Sequence, residues 1–301
     1  MTISIYCSPT DLRIVVGTAN ESRVRVEQFV EVPLPAGAMI NGIITNVDAM
    51  TRFLKDVDTV HGPFKGDATV VVESNLVRTK LLTVPKAPER QVAAFVASEM
   101  QELSDGQVDE AFDYSVLGPG AEGGLDVLGV AVGRAMLAAY IGVVGNADFK
   151  LKKIDVGTNA LIKAVRYLPQ IAAGTNLLAV LDSNIMAISL FENGEYRITK
   201  KHRLLAPENT DARRQEAGNH LSSMIQFQKS QHMDSEIRTI FITGVSSERV
   251  QALAAATGYL HLPFEEIQLD HHLELTGKAA YAQDGFEIAK YIYNIGALIG
   301  K

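Results

Sequence analysis

Two stretches of this 301-residue chain run through the same succession of elements. Residues 2–7, 12–18 and 23–33 are apolar or alternating runs separated by the short polar turns SPTD and NES, a pattern that predicts a three-strand meander. A helix follows in NVDAMTRFLKDV, where Asn46 suits the cap and Val47, Met50, Phe53 and Leu54 share a face; the strand ATVVV comes next. From residue 176 the order returns, with NLLAVLD, IMAISLF and EYRITKKHRLL as strands around the turn ENGE, a helix from about Asp211 to Ser230, and the strand RTIFITG. Identity between the halves is too weak to show a duplication by itself. The shared order nevertheless predicts an α/β molecule of two like lobes, and the chain is long enough for two cores.

Between residues 76 and 133 lies a segment that the second half lacks: strand VRTKLLTV, helix APERQVAAFVASEMQEL, and strands AFDYSVLG and LDVLGVAV. Pro88 and Glu89 suit a helix start, and Val92, Phe95, Val96, Glu99 and Met100 fall along one side. The glycine-rich loop GPGAEGG, 118–124, joins two antiparallel strands and precedes no helix, so it reads as a hairpin connection and not as a phosphate cradle.

Charge and cysteine content narrow the function classes. A formal net charge of −7 without a clustered basic face opposes nucleic-acid binding. The single cysteine, Cys7, rules out an intrachain disulfide framework and reads as a buried strand residue. No leader pattern opens the sequence and no apolar run approaches a membrane span, so the expected location is cytoplasmic.

The first turn, inside ISIYCSPTDLRIVV, sits where several nucleotide-binding folds hold a phosphate. It has no glycine for close backbone approach, and Pro9 lacks an N–H. On turn chemistry it reads as a plain hairpin. Three other clusters read as ordinary structure. HLPFEEIQLDHHLEL, 261–275, concentrates histidines and carboxylates, but His271 with His272, and Glu265 with Glu266, point to opposite sides of an extended segment, which favours a surface loop over a metal site. KKHR, 200–203, reads as a solvated strand end. Ile288, Ile292, Ile295 and Ile299, with Ala289 and Leu298 beside them, read as a core helix closing the first lobe, since too little positive charge flanks them for a membrane-surface helix.

Taken in order, INGIITNVDAMTRFLKDV, TVPKAPERQVAAFVASEM, FDYSVLG, VLGVAVGRAMLAAYIGVV, KKIDVGTNAL, ISLFENGEYR, LSSMIQFQKSQHMDSEIRTIFITG and FEIAKYIYNIGALIGK resemble PilM, the actin-like protein family of type IV pilus assembly, and more distantly FtsA. The likeness spans nearly the whole chain. It implies an actin-like fold of duplicated ribonuclease H-like lobes. The first lobe would be 1–75 and 134–172, with 276–301 packing back on it; the inserted strand-helix-strand-strand module would be 76–133, and the second lobe 173–275. It also implies a partner: the N-terminal cytoplasmic tail of a PilN-like inner-membrane protein, docked beside the insert near Arg78, Val92, Phe95, Val96 and Glu99. The pilus motor ATPases and self-association are further implied contacts.

ATP-binding members use a first phosphate turn of the type Asp-Ile-Gly-Ser-Ser-Ser-Val-Lys. Here its Asp falls on Tyr6, its Gly on Ser8 and its basic residue on Arg13. The second phosphate turn falls on VLDSNIMAIS: without gaps its Asp lands on Val180 and its Gly on Asp182, whereas a small deletion puts Asp182 at the acidic position. The acid expected after KKIDV lands on Gly157, and the adenine-side Gly-Gly becomes TGVSS, keeping Gly244 but changing Val245 and Ser246. Ser8, Thr10, Arg13, Asp182, Ser183, Asn184 and Gly244 are thus the vestigial nucleotide residues. One unit charge pair at ~4 Å is worth about 4 kcal/mol at an effective dielectric of ~20, so losing the carboxylates that hold Mg²⁺ outweighs what Arg13 returns. No cofactor, metal or catalytic residue is expected. The leading expectation is a scaffold with a degenerate nucleotide site. An ATP-binding switch built on Arg13, Asp182 and Asn184, and an FtsA-type polymerising protein, are the alternatives.

Overall fold

A computed structural model describes residues 1–20, 23–103, 109–231, 235–267, 273–281 and 288–300. The meander is β1 (Thr2–Cys7), β2 (Asp11–Ala19) and β3 (Val24–Pro33). A small ribbon, β4 (Met39–Ile40) with β5 (Ile43–Ile44), leads to α1 (Val47–His61) and β6 (Asp67–Val72). Asn46 caps α1 by accepting the N–H of Ala49 at 2.9 Å, and Met50, Leu54 and Val57 form its buried stripe. Val47, at the first helical position, stays 38 % exposed, so the stripe begins one turn later than its sequence spacing predicts.

The insert follows as β7 (Arg78–Val84), α2 (Glu89–Glu102), β8 (Glu110–Pro119) and β9 (Leu125–Gly133), an antiparallel sheet in the order β7-β9-β8 with α2 against it. GPGAEGG is the β8–β9 connection, with Pro119 paired to Leu125. Next come α3 (Arg134–Asn146), β10 (Lys150–Val156), α4 (Gly157–Val165) and the short α5 (Pro169–Ala172).

The second lobe repeats the meander as β11 (Thr175–Asp182), β12 (Ile185–Glu192) and β13 (Glu195–Arg203), then α6 (Asp211–Ser230), β14 (Ile237–Thr243), α7 (Ser247–Ala256) and β15 (Phe264–Glu266). β16 (Leu273–Leu275), α8 (Gly277–Tyr281) and α9 (Ile292–Leu298) close the chain. The sheet orders are β10-β6-β1-β2-β3-β16 and β13-β12-β11-β14-β15. In each, an antiparallel meander is followed by a parallel strand beside its first member, β6 on β1 and β14 on β11. The apolar content of β1 and β11 follows from burial on both faces.

Two expectations from sequence need correction. Residues 273–275 do not belong to the second lobe: β16 pairs in parallel with Val24–Val26 and extends the first sheet. The 261–275 segment is also more than a surface loop, because β15 pairs with Ile240–Ile242 at the edge of the second sheet. His271 and His272 lie outside the described residues. Among the described residues no set of three or more His, Cys, Asp or Glu side chains is placed to hold a metal ion, and no helix is long and apolar enough to cross a membrane.

One apolar cluster runs through both lobes, from Tyr6 and Val15 through Leu161 of α4 and Ile295 of α9 to Val180, Phe191 and Phe241. α9 is a core helix: Ile292, Ile295, Leu298 and Ile299 are all buried, and Asn294 Nδ2 donates to the carbonyls of Ser4 and Arg13, both at 3.0 Å. The side chains of Ile288 and Ala289 lie outside what the structure describes.

Candidate functional site: the cleft between the lobes

The ends of β1 and β11 face each other across the lobes. Tyr6 and Arg13 are directly opposed across the β1–β2 ladder, and Arg13 opposes Glu31 across β2–β3, so the three side chains form one row on a single sheet face. Asp182, the last residue of β11, meets that row. The Tyr6 hydroxyl donates to Asp182 Oδ2 at 2.7 Å, and the Arg13 guanidinium reaches both Asp182 oxygens, at 3.2 and 3.3 Å. Arg13 Nε donates to Glu31 at 3.0 Å, Arg13 Nη1 to the Lys290 carbonyl at 3.1 Å, and Lys290 Nζ to Glu31 at 3.1 Å. Tyr6 packs edge-on against Tyr293, ring centres 5.1 Å apart.

Burial sets the electrostatics. It raises the Tyr6 phenol well above its usual range, with the Asp182 charge adding to the effect, so the phenol is a fixed donor. Burial also pushes the Asp182 carboxyl up, against the pull of Arg13 and Tyr6. Burial opposes the charge on Arg13, but Asp182, Tyr6 and Glu31 together more than offset it and hold the guanidinium charged. Burial pushes the Cys7 thiol up to about 12, which suits an inert core thiol.

The first turn is satisfied from within. Ser8 is buried, and its Oγ accepts the N–H groups of Thr10 at 3.2 Å and Asp11 at 2.8 Å, the backbone donors that a phosphate turn would present to a ligand. Thr10 Oγ1 bonds Asp11 Oδ2 at 2.5 Å. In the second turn Ser183 adopts a left-handed conformation, φ 53°, and its carbonyl accepts from Arg213; the Asn184 carbonyl accepts the N–H of Leu204 at 2.8 Å. Gly244, φ +91°, lies so close to β11 that a Cβ would stand 1.9 Å from the Leu181 carbonyl oxygen, so packing alone requires glycine there. The structure thus joins Arg13 to Asp182 and brings Gly244 beside the second turn, while Ser8 and Thr10 close their own turn.

Two residues of the cleft escape a sequence reading. Glu73, just past β6, ion-pairs with Lys201 of β13, and Lys201 Nζ also lies 3.4 Å from the Ser74 carbonyl oxygen. Lys201 is therefore a cleft residue and not part of a solvated edge. Of KKHR, Arg203 is exposed, Lys200 lies 3.9 Å over the Phe227 ring, and His202 stacks on His220 at 3.9 Å. The cleft is lined by Tyr6, Asn41, Glu73, Asn75, Val180 and Asp182 among others, and its cavity volume is about 20 Å³, one water-sized site.

His202 gives a pH expectation. Burial, then the neighbouring His220 and Lys200 charges, lowers it from its ordinary value to about 4. A base depressed on folding contributes stability that is complete above the unfolded pKa of about 6.5 and is lost as pH falls toward 4. After allowance for solvent screening at this partly exposed site, the stability advantage of the parent over His202→Gln is expected to shrink by about 1–2 kcal/mol between pH 7 and pH 4. Urea titrations of both proteins at the two pH values check this.

On the insert, Val92 and Val96 are 3 % and 1 % exposed and pack with Val84, Met100, Val127 and Ala131. They form the insert's own core and are not available to a peptide, because positions spaced by four residues turn onto the β7–β9 face. Phe95 is 41 % exposed on the flank of α2. Arg78 pairs with Glu110, and Glu99 with Lys80 at 3.0 Å.

The family model for type IV pilus assembly protein PilM matches residues 5–205, two thirds of the chain. The chain belongs to the PilM family. Among solved structures, a PilM-PilN type IV pilus biogenesis complex aligns with a TM-score of 0.80 at 14 % identity, covering 99 % of this PilM-family chain and 97 % of that one. A Bacteroides thetaiotaomicron protein with an actin-like ATPase fold aligns at 0.58 and 10 % identity, over 100 % and 96 % of the two chains. The cytoplasmic domain of EpsL, an inner-membrane component of the Vibrio cholerae type II secretion system, aligns at 0.52 and 12 %, over 100 % and 95 %. At these identities the likeness establishes the fold, which is actin-like. No curated protein matches the sequence.

Proposed function

We propose that this PilM-family chain is a cytoplasmic adaptor of type IV pilus assembly. It holds the short N-terminal cytoplasmic tail of a PilN-like inner-membrane protein at the inner face of the membrane and couples that platform to the pilus motor ATPases, without turning over ATP. The observation that carries the second half of the reading is the contact of Tyr6 and Arg13 with Asp182, where the two phosphate turns of an actin-like fold converge. The residues present do not fit Mg-ATP. A phenol stands in place of the first carboxylate, Ser8 consumes the turn's own N–H groups, and about 20 Å³ is left where ligand pockets span roughly 300–1,000 Å³. The partner half is supported by family membership and by the PilN named in the structurally similar complex.

The tail would lie in the groove between the first lobe and the insert, with α2 as one wall, Phe95 as the apolar anchor, and Arg78 and Glu99 fixing register. Phe95→Ala is then expected to weaken tail binding by about 1–2 kcal/mol while folding stability holds. Val96→Ala is expected to do the reverse, costing about 2 kcal/mol of stability with tail affinity unchanged. The measurement is calorimetric titration with synthetic tails of the single-span membrane proteins encoded nearby, paired with urea denaturation. If no tail binds, the adaptor reading fails. If a tail binds but its affinity is unchanged in Phe95→Ala, Arg78→Ala and Glu99→Ala with folding intact, the docking site lies elsewhere.

A further inference from the structure

The cleft contains two buried ion pairs, and they run in opposite directions. Arg13, from the first lobe, grips Asp182 of the second through both carboxylate oxygens. Lys201, from the second lobe, pairs with Glu73 of the first. The side chains are 7 % and 9 % exposed in one pair and 11 % and 8 % in the other, and both carboxylates line the same cavity. From these contacts we propose that the lobes are locked in one closed register by a reciprocal ionic clasp, each lobe supplying the cation for the other's carboxylate, so that closure needs neither nucleotide nor metal ion. The inference rests on the cleft alone and holds whether or not the chain is an adaptor.

Position 157 ties the second pair to the cleft floor. A Cβ there would stand 1.9 Å from Glu73 Oε2, so the glycine at the position of the family's expected acid leaves room for a carboxylate arriving from another strand. A negative charge is kept near that place, and its counter-ion is now a lysine of the opposite lobe.

The clasp acts on register more than on total stability. Much of the work of holding the lobes together falls to the apolar cluster that crosses them. Buried ion pairs add little net energy beside an apolar alternative, because desolvation offsets attraction. Removing one partner is different, since a buried charge is left with no counter-ion. Small slips of one lobe on the other do the same to both pairs at once, without opening enough space for water. Two antiparallel pairs therefore penalise every arrangement between fully shut and wide open.

The test uses the full chain freed of nucleotide and divalent cations, with hydrogen exchange as the readout. Lys201→Met leaves Glu73 uncompensated, and the amides around 6–13 and 180–187 are expected to exchange about tenfold faster or more, while those in the centre of β6 and β14 stay protected. Adding Glu73→Gln removes the stranded charge and is expected to bring cleft exchange back to within about threefold of the parent. Gly157→Ala displaces Glu73 with every charge kept and is expected to accelerate the same amides, a readout that does not depend on Lys201→Met folding. Unchanged cleft exchange in Lys201→Met or in Gly157→Ala, or a double variant as fast as the single, would overturn the clasp. Tail binding plays no part in these readouts, so failure of the adaptor reading would be seen separately.

Discussion

Arg13→Met is expected to lower the unfolding free energy by about 3–5 kcal/mol, the cost of breaking a buried ion pair by removing one partner. The substitution preserves the apolar stem and deletes only the guanidinium. Asp182 would keep the Tyr6 hydroxyl at 2.7 Å as its donor, and Glu31 would keep Lys290 at 3.1 Å. Glu31 is partly exposed and its carboxyl lies below the usual range: burial raises it, but the Lys290 and Arg13 contacts together outweigh that. It should tolerate the loss. Asp182 is 7 % exposed and already pushed up by burial, so without Arg13 it would take up a proton or admit water. The variant's loss should therefore be largest at neutral pH and smaller in acid, where protonation of Asp182 relieves the stranded charge. Urea denaturation at pH 7 and pH 4.5 would show it. A loss under 1 kcal/mol at neutral pH would mean that the carboxylate is already hydrated and that the triad carries little of the cleft.

The elements were legible in the sequence wherever periodicity was sustained. The helix expected from about Asp211 to Ser230 spans those residues, because Thr210 accepts the Arg213 N–H at 3.2 Å and the buried row Ala217, Leu221 and Met224 follows. The strand-helix-strand-strand insert was equally plain. Three-residue strands were not, since β15 and β16 are too short to show a period and β16 pairs with a strand about 250 residues earlier. On α2, helical spacing grouped Phe95 with Val92 and Val96, but the face in contact is only as wide as the 92, 96, 100 row.

The cleft was legible as a set of departures from a family pattern and not as a set of contacts. Tyr6 read as a lost carboxylate, but nothing local shows that its hydroxyl meets Asp182, 176 positions away. Glu73 looked like the first polar residue after an apolar strand, and Lys201 like one of several cations on another. Only the closure of one lobe on the other makes them a pair. The same geometry predicts that Tyr6→Asp with Ser8→Gly does not create a nucleotide site. Aspartate at position 6 would set a second carboxylate against Asp182 and leave a cavity beside Tyr293, while Arg13 and Lys201 still hold the lobes shut.

Nucleotide affinity is the second large effect. The ends of β1 and β11 bond each other through Tyr6, Arg13 and Asp182. A triphosphate would have to part Asp182 from Arg13 and displace Tyr6 from its packing, and the two carboxylates that line the cavity, Asp182 and Glu73, are already paired with Arg13 and Lys201. These costs together should leave affinity weaker than about 1 mM, at least a thousandfold below a micromolar site, or about 4 kcal/mol. Calorimetric titration of the full chain with Mg-ATP, with ADP and inorganic phosphate alongside, reads this directly. No saturable heat up to millimolar nucleotide is the expected result. A micromolar dissociation constant that is lost in Arg13→Met would contradict it and make this cleft a working nucleotide site.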